Sequence, residues 1–170
     1  PPVLPNDDRL ADIQEAGEQL LADNKFNQYE ISAYCRDNNS AKHNINYWQF
    51  GDYLGIGAGA HGKLTNITKS EITRRWKTRV PNDYLKTPFE TAGSKVLSET
   101  ELPIEFLMNA LRLNSGYRKT QFNSRTGIPY AAIEDRIEAL IQRKLLRSDG
   151  QHIQTTETGR RFLDSILLEF

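Results

Sequence analysis

His43-Asn44-Ile45-Asn46-Tyr47-Trp48 is followed closely by Gly55-Ile56-Gly57-Ala58-Gly59-Ala60-His61-Gly62. Two imidazoles, an adjacent Tyr-Trp pair and a run of alternating glycines therefore share one short segment. Glycine lets the backbone approach a ligand closely. Imidazole can ligate a metal or donate a hydrogen bond, and the rings can stack on a flat molecule. The segment has the composition of a site for a flat or anionic ligand.

Other reactive residues carry weaker patterns. Glu30 and Asp52 lack the spacing of an acid–base pair, so structural roles are expected for both. Arg74-Arg75-Trp76-Lys77 with Arg79 could meet carboxylates, since guanidinium binds them bidentately, but the plain expectation is a solvated edge strand. His152 is expected to be exposed in a hairpin. Cys35 is the only cysteine, which excludes an internal disulfide and a four-cysteine metal site.

The 170 residues suffice for one medium domain or two small ones. Lys and Arg total 22, as do Asp and Glu, so no general attraction to nucleic acid follows. No apolar run is long enough to span a membrane. The start, Pro1-Pro2-Val3-Leu4-Pro5, lacks a signal peptide's basic and apolar regions and reads as the middle of a longer chain. A cytoplasmic location is expected, which makes the Asn38–Ser40 and Asn66–Thr68 glycosylation triplets chance matches.

Asn6 or Asp7 can cap a helix that carries Leu10, Ile13, Gly17, Leu20 and Leu21 and ends near Asn24. Tyr29, Ile31 and Ala33 alternate as a strand over 28–34. A loop spans 36–42, and Tyr53–Ile56 reads as a short buried strand entering the glycines. This order suggests the last βα units of a parallel α/β barrel or sheet, which place ligands at the carboxyl ends of their strands. Residues 63–80 read as a hairpin or a pair of edge strands, and Pro81 opens a short helix through Leu85. Residues 87–100 are a weak connection.

From 101 the pattern changes. Pro103 opens a helix carrying Phe106, Leu107, Ala110, Leu111 and Leu113. A short helix at 120–126 ends at Gly127, and another after Pro129 carries Ile133, Ile137, Leu140 and Ile141. Leu145-Leu146, Asp149-Gly150 and Ile153 predict a tight hairpin. Gly159 precedes a last helix with Phe162, Ile166 and Leu167. The expected fold is α/β (α+β): barrel units over 1–62, a hairpin and connector over 63–100, and a helical winged-helix-like domain over 101–170.

Tyr29-Glu30-Ile31-Ser32, the HNxxYW segment 43–48, the run Gly51–Gly62 and Pro103–Leu113 together resemble the oxygen-independent coproporphyrinogen III oxidase family of radical S-adenosylmethionine (SAM) proteins. The HemW branch is the most similar. The resemblance covers nearly the whole chain. It implies haem or porphyrin contacts from His43, Asn44, Tyr47 and Trp48, with His43 as a ligand of haem iron. It also implies a SAM wall formed by Gly57, Gly59, Ala60 and His61.

The family's [4Fe-4S] cluster sits on a Cys-x3-Cys-x2-Cys loop that this sequence lacks, and Cys35 cannot replace three thiolates. The chain is therefore expected to be a C-terminal fragment without radical chemistry of its own. The oxidase branch decarboxylates coproporphyrinogen III, whereas the HemW branch hands haem to an acceptor protein.

The winged-helix pattern raises a DNA-binding or interaction module as the alternative. Its recognition helix would carry Glu134, Asp135, Arg136, Glu138 and Arg143, a poor face for phosphates. Residues 103–170 hold ten Lys/Arg and eight Asp/Glu, a net charge of only +2.

Overall fold

A computed structural model of the chain describes residues 4–170, so Pro1, Pro2 and Val3, part of the start read as the middle of a longer chain, lie outside the described residues. Helix α1 (Asp7–Asp23) begins where Asn6 accepts the Arg9 amide at 3.1 Å. Asp7 and Asp8 then sit in its first turn, where the helix dipole favours negative charge. None of its residues is buried, and Leu10, Ile13 and Leu20 remain exposed.

The expected strand over 28–34 is two strands. β1 (Asn27–Glu30) turns through Ile31-Ser32 into β2 (Ala33–Cys35), and the two pair antiparallel. The HNxxYW segment is helical, forming most of α2 (Lys42–Trp48).

β3 (His61–Asn66) and β4 (Glu71–Trp76) make the expected hairpin. α3 (Pro81–Lys86) follows with Pro81 in its first turn. The supposed connection then contributes β5 (Gly93–Val96), which pairs with β4. β4 is therefore the central strand of this sheet and not a solvated edge.

The rest of the chain runs α4 (Leu102–Ala110), β6 (Tyr117–Arg118), α5 (Lys119–Thr126), a 3-10 turn at Tyr130–Ala132, α6 (Glu134–Gln142), β7 (Leu146–Ser148) and β8 (His152–Thr155). The sheet order β6-β8-β7 is that of a winged helix. Gly127 ends α5 in the left-handed region at φ 75°, as its sequence position predicts. α7 (Glu157–Arg161) and α8 (Leu163–Leu167) close the chain. Gly159 lies inside α7 and precedes the last helix, α8, which carries Ile166 and Leu167. A side chain there would strike the Leu145 carbonyl.

The mixed helix-and-strand class is as expected. The parallel βα units are not: every strand pair among the described residues is antiparallel. A parallel pair needs a crossover of about a dozen residues or more. The β1–β2 and β3–β4 links are tight turns, Ile31-Ser32 and residues 67–70, too short for such a crossover.

The core gathers on α4. Phe106 is fully buried and meets Phe50, Tyr117 and Phe122 edge to face, at ring distances of 5.7, 5.1 and 5.3 Å. Ile133, Ile137, Leu140, Leu146, Ile153 and Ile166 extend the same cluster beneath the wing. Phe106→Ala is expected to cost about 3–5 kcal/mol in urea unfolding. Met108→Ala, on the exposed side of the same helix, is expected to cost less than about 1 kcal/mol.

Candidate functional site

Helix α2 stops on a strained residue. Gly51 N–H donates to the Asn46 carbonyl at 2.8 Å and Phe50 N–H to the Tyr47 carbonyl at 3.0 Å, closing a Schellman turn. Phe50 occupies the left-handed position at φ 57°, where glycine is usual. Burial of its ring offsets that strain. Lys63 Nζ lies 4.3 Å over one face, and Phe106 packs edge-on.

Beyond Phe50, an excursion from Tyr53 to Lys63 closes on itself through a two-way backbone bridge, with N–H to carbonyl distances of 2.9 and 3.0 Å. The predicted buried strand at 53–56 reduces to this single bridge at Tyr53, and Leu54 and Ile56 are exposed. Gly55 and Gly62 lie where a Cβ would press on neighbouring backbone. Glycine is therefore required at Gly55 for close packing of the loop on itself.

An ion pair fixes the base of this loop. Lys63 Nζ donates to Asp52 Oδ1 at 2.7 Å, and Asp52 also accepts the Thr65 amide and hydroxyl, each at 2.8 Å. Burial alone would raise the Asp52 pKa. The hydrogen bonds from Lys63 and Thr65 outweigh it and hold the carboxyl below its ordinary value of 3.8. At Lys63 the balance reverses: the ammonium is far more deeply buried, and desolvation lowers its pKa despite the attraction of Asp52. Asp52 thus has the structural role expected of it. So does Glu30, which is buried and accepts from Arg112 at 3.3 Å.

Between α2 and the loop lies an open cleft of about 450 Å³, lined by Tyr47, Trp48, Tyr53, Leu54, Gly55, Ile56, Ala60, His61 and Asn109. Two of the four residues expected to meet haem line this cleft beside two of the four expected to meet SAM. Tyr47 packs edge-on against Tyr53 at 4.5 Å. Arg74, paired with Glu105 at 2.6 Å, donates to the Tyr53 hydroxyl at 2.9 Å. Trp48 lies beneath the Arg112 guanidinium at 4.4 Å. Its indole N–H is buried and has no partner among the described residues.

The remaining expected site residues lie elsewhere. His43 is exposed on α2, its ring 6.1 Å from that of Tyr47. Asn44 donates to the Tyr29 hydroxyl at 3.1 Å, which ties α2 to β1. The Gly57 amide donates to the Tyr84 hydroxyl at 3.1 Å and the Gly59 amide to the Thr78 carbonyl at 2.8 Å. Both amides thus serve the loop's own shape. Tyr53 and Asn109 were not singled out from sequence. An aromatic two residues before the first glycine was the available signal for Tyr53, but Asn109 had none.

Arg74 and Lys77 are likewise committed, Arg74 to Glu105 and Lys77 to the carbonyls of Pro88 and Glu90 at 3.1 and 2.8 Å. His152 is partly covered in the wing, 3.1 Å from Asp149. Cys35 is buried, and the described residues hold no group of three or more His, Cys, Asp or Glu that could bind a metal ion. The chain's own side chains therefore do not fit an iron–sulfur cluster. No helix among the described residues is long and apolar enough to cross a membrane.

The HemN C-terminal domain family matches residues 97–162. The heme chaperone HemW of Haemophilus influenzae is 44% identical over 167 residues, covering 98% of this chain and 43% of that protein. The chain belongs to the HemN/HemW family. HemW of Escherichia coli is 40% identical over 98% of this chain and 44% of its own length. The solved structure of E. coli coproporphyrinogen III oxidase (HemN), described as a radical SAM enzyme, superposes with a TM-score of 0.68. That match is 14% identical and covers 98% of this chain and 42% of the other, which establishes a shared fold. The chain thus spans less than half the length of the family members it matches.

Asp52→Asn is expected to cost about 1–2 kcal/mol at neutral pH, less than a fully buried pair because the Asp52 side chain is 40% exposed. A lowered carboxyl pKa stabilises the fold above 3.8 and loses that contribution as pH falls through the folded value. The gap between wild type and Asp52→Asn in urea midpoints should therefore close on acidification below 3.8. Gly55→Ala should displace the loop, read as lost amide-exchange protection at Tyr53 and Lys63.

Proposed function

We propose that this chain forms the haem-handling part of a HemW-type haem chaperone. One observation carries the reading. The HNxxYW helix and the glycine loop, neighbours in sequence, fold toward each other and line a single open aromatic cleft. Tyr47 and Tyr53 offer ring surface to a flat macrocycle.

His43 is assigned as the iron ligand at the exposed end of the ring row His43–Tyr47–Tyr53. Asn44 keeps the helix in place through Tyr29. Ala60 and His61 border the same cleft and are assigned to the SAM side. Gly57 and Gly59 shape the loop there. SAM, when bound, would supply an adenosyl group. The cluster that SAM requires would have to be held by segments other than the described residues. The chain is read as the C-terminal part of the whole protein, inactive in radical chemistry by itself, with an acceptor protein as the destination of the haem. The lone cysteine and the absence of a spanning helix among the described residues support the cytoplasm as its compartment.

The family match supports this reading and not the DNA-binding alternative. Two cations beside α6 are also engaged within the protein, Lys119 with Glu134 and Arg143 with Glu169.

Titration of the chain with haem, followed in the Soret band, tests the assignment. His43→Ala is expected to weaken binding about tenfold or more and to change the ligand-field spectrum. His61→Ala should leave the spectrum unchanged. The opposite pattern would move the ligand to His61, and a spectrum identical in both variants would sink axial ligation by either.

A further inference from the structure

Trp48 lines the aromatic cleft, and its buried indole N–H makes no hydrogen bond among the described residues. The ring therefore lacks the polar tether that usually fixes a buried indole. Over its face lies the Arg112 guanidinium instead, 4.4 Å from the ring centre. Arg112 comes from the chain just after α4, far from Trp48 in sequence.

That guanidinium is itself clamped. Its Nε and Nη2 donate to Glu30 Oε2, each at 3.3 Å, and Nη2 also donates to the Ser32 hydroxyl at 2.9 Å. Glu30 is only 3% exposed, and its other oxygen accepts the Ser32 amide at 3.0 Å. The base of this arm stands independently of α2. β1 is bridged at Glu30 to Leu113, and Asn114 donates to the Tyr29 and Gln28 carbonyls at 3.0 and 2.7 Å. α2 touches the same strand nearer its start, where Asn44 meets the Tyr29 hydroxyl.

The chemistry of the arm requires arginine. A guanidinium is planar and permanently charged, so it can stack on a ring while its edge holds a carboxylate. Lysine offers the charge without the plane. The Arg112 side chain is 27% exposed, and this partial desolvation strengthens its attraction to the indole.

We propose that Arg112 is a positioning residue for the aromatic cleft: clamped by Glu30 and Ser32, it fixes the rotation of the Trp48 ring and so the shape of the wall that a flat ligand meets. The ring's orientation is a property of the ligand-free chain. Its effect on haem affinity rests on the function proposed above.

The test uses the full chain carrying Trp76→Phe, which leaves Trp48 as the only tryptophan. Arg112→Lys is expected to collapse the near-ultraviolet circular dichroism of Trp48 while the far-ultraviolet spectrum stays unchanged. Ser32→Ala, in an exposed turn, should diminish the same band. Haem affinity, followed in the Soret band, should fall about three- to tenfold in Arg112→Lys. In a Trp48→Leu background the same substitution should have no further effect, because Arg112 acts through that ring. A role in folding alone would lower affinity equally in both backgrounds. An unchanged Trp48 band in both Arg112→Lys and Ser32→Ala would overturn the proposal, whether or not haem binds. So would unaltered haem affinity in Arg112→Lys, or a loss that persists in full beside Trp48→Leu. If the unsubstituted chain binds no haem, the function proposed above fails, and the Trp48 band alone decides the role of Arg112.

Discussion

The arrangement depends on one buried contact, the Phe50 ring held between the Lys63 ammonium and the edge of Phe106. It joins three pieces that are far apart in sequence: the end of α2, the first strand of the middle sheet and the central helix of the winged unit. Its cost is visible in the backbone, where a bulky residue takes the left-handed conformation. Such strain is worth roughly 1–2 kcal/mol. A fully buried aromatic ring recovers more than that. The ammonium is tolerated in this interior because Asp52 and the Phe50 face both meet it.

Given that anchor, the geometry of the site follows. α2 ends where Phe50 must turn inward, which directs Tyr47 and Trp48 toward the glycine excursion. Asp52 and Lys63 hold the two ends of that excursion together, and Arg74 reaches across from β4 to set Tyr53. The loop needs glycine at Gly55 because it folds back on its own backbone. Two cavities border this loop and share Tyr53, Leu54, Gly55, Ile56 and Ala60 in their lining.

The winged unit takes part as a scaffold. α4 contributes Glu105 to the Arg74 pair, Asn109 to the first cleft and Phe106 to the anchor. Arg112, just after it, pairs with Glu30 and covers Trp48. Two of its charges, Glu105 and Arg112, are thus spent on holding the cleft's elements together.

The local elements were legible in the sequence where periodicity and capping agreed. Helix α1 with its Asn6 cap, the hairpin β3–β4, Pro81 opening α3, Gly127 closing α5 and the wing turn at Asp149-Gly150 all carry short-range signals. The HNxxYW and glycine motifs, and the family they indicate, were legible for the same reason: they are contiguous. Tertiary structure alone decided the rest. The strand expected at 28–34 became a hairpin and the expected parallel units became antiparallel pairs, because pairing direction is settled by partners and not by side-chain alternation. β5 lacks the alternation that would announce it and exists because β4 offers a free edge. His43, prominent in the motif, lies outside the cleft, whereas Tyr53 and Asn109 line it. Helical phase and the Phe50 turn choose which side chains face the loop, and neither can be read from spacing until the packing around Phe106 is known.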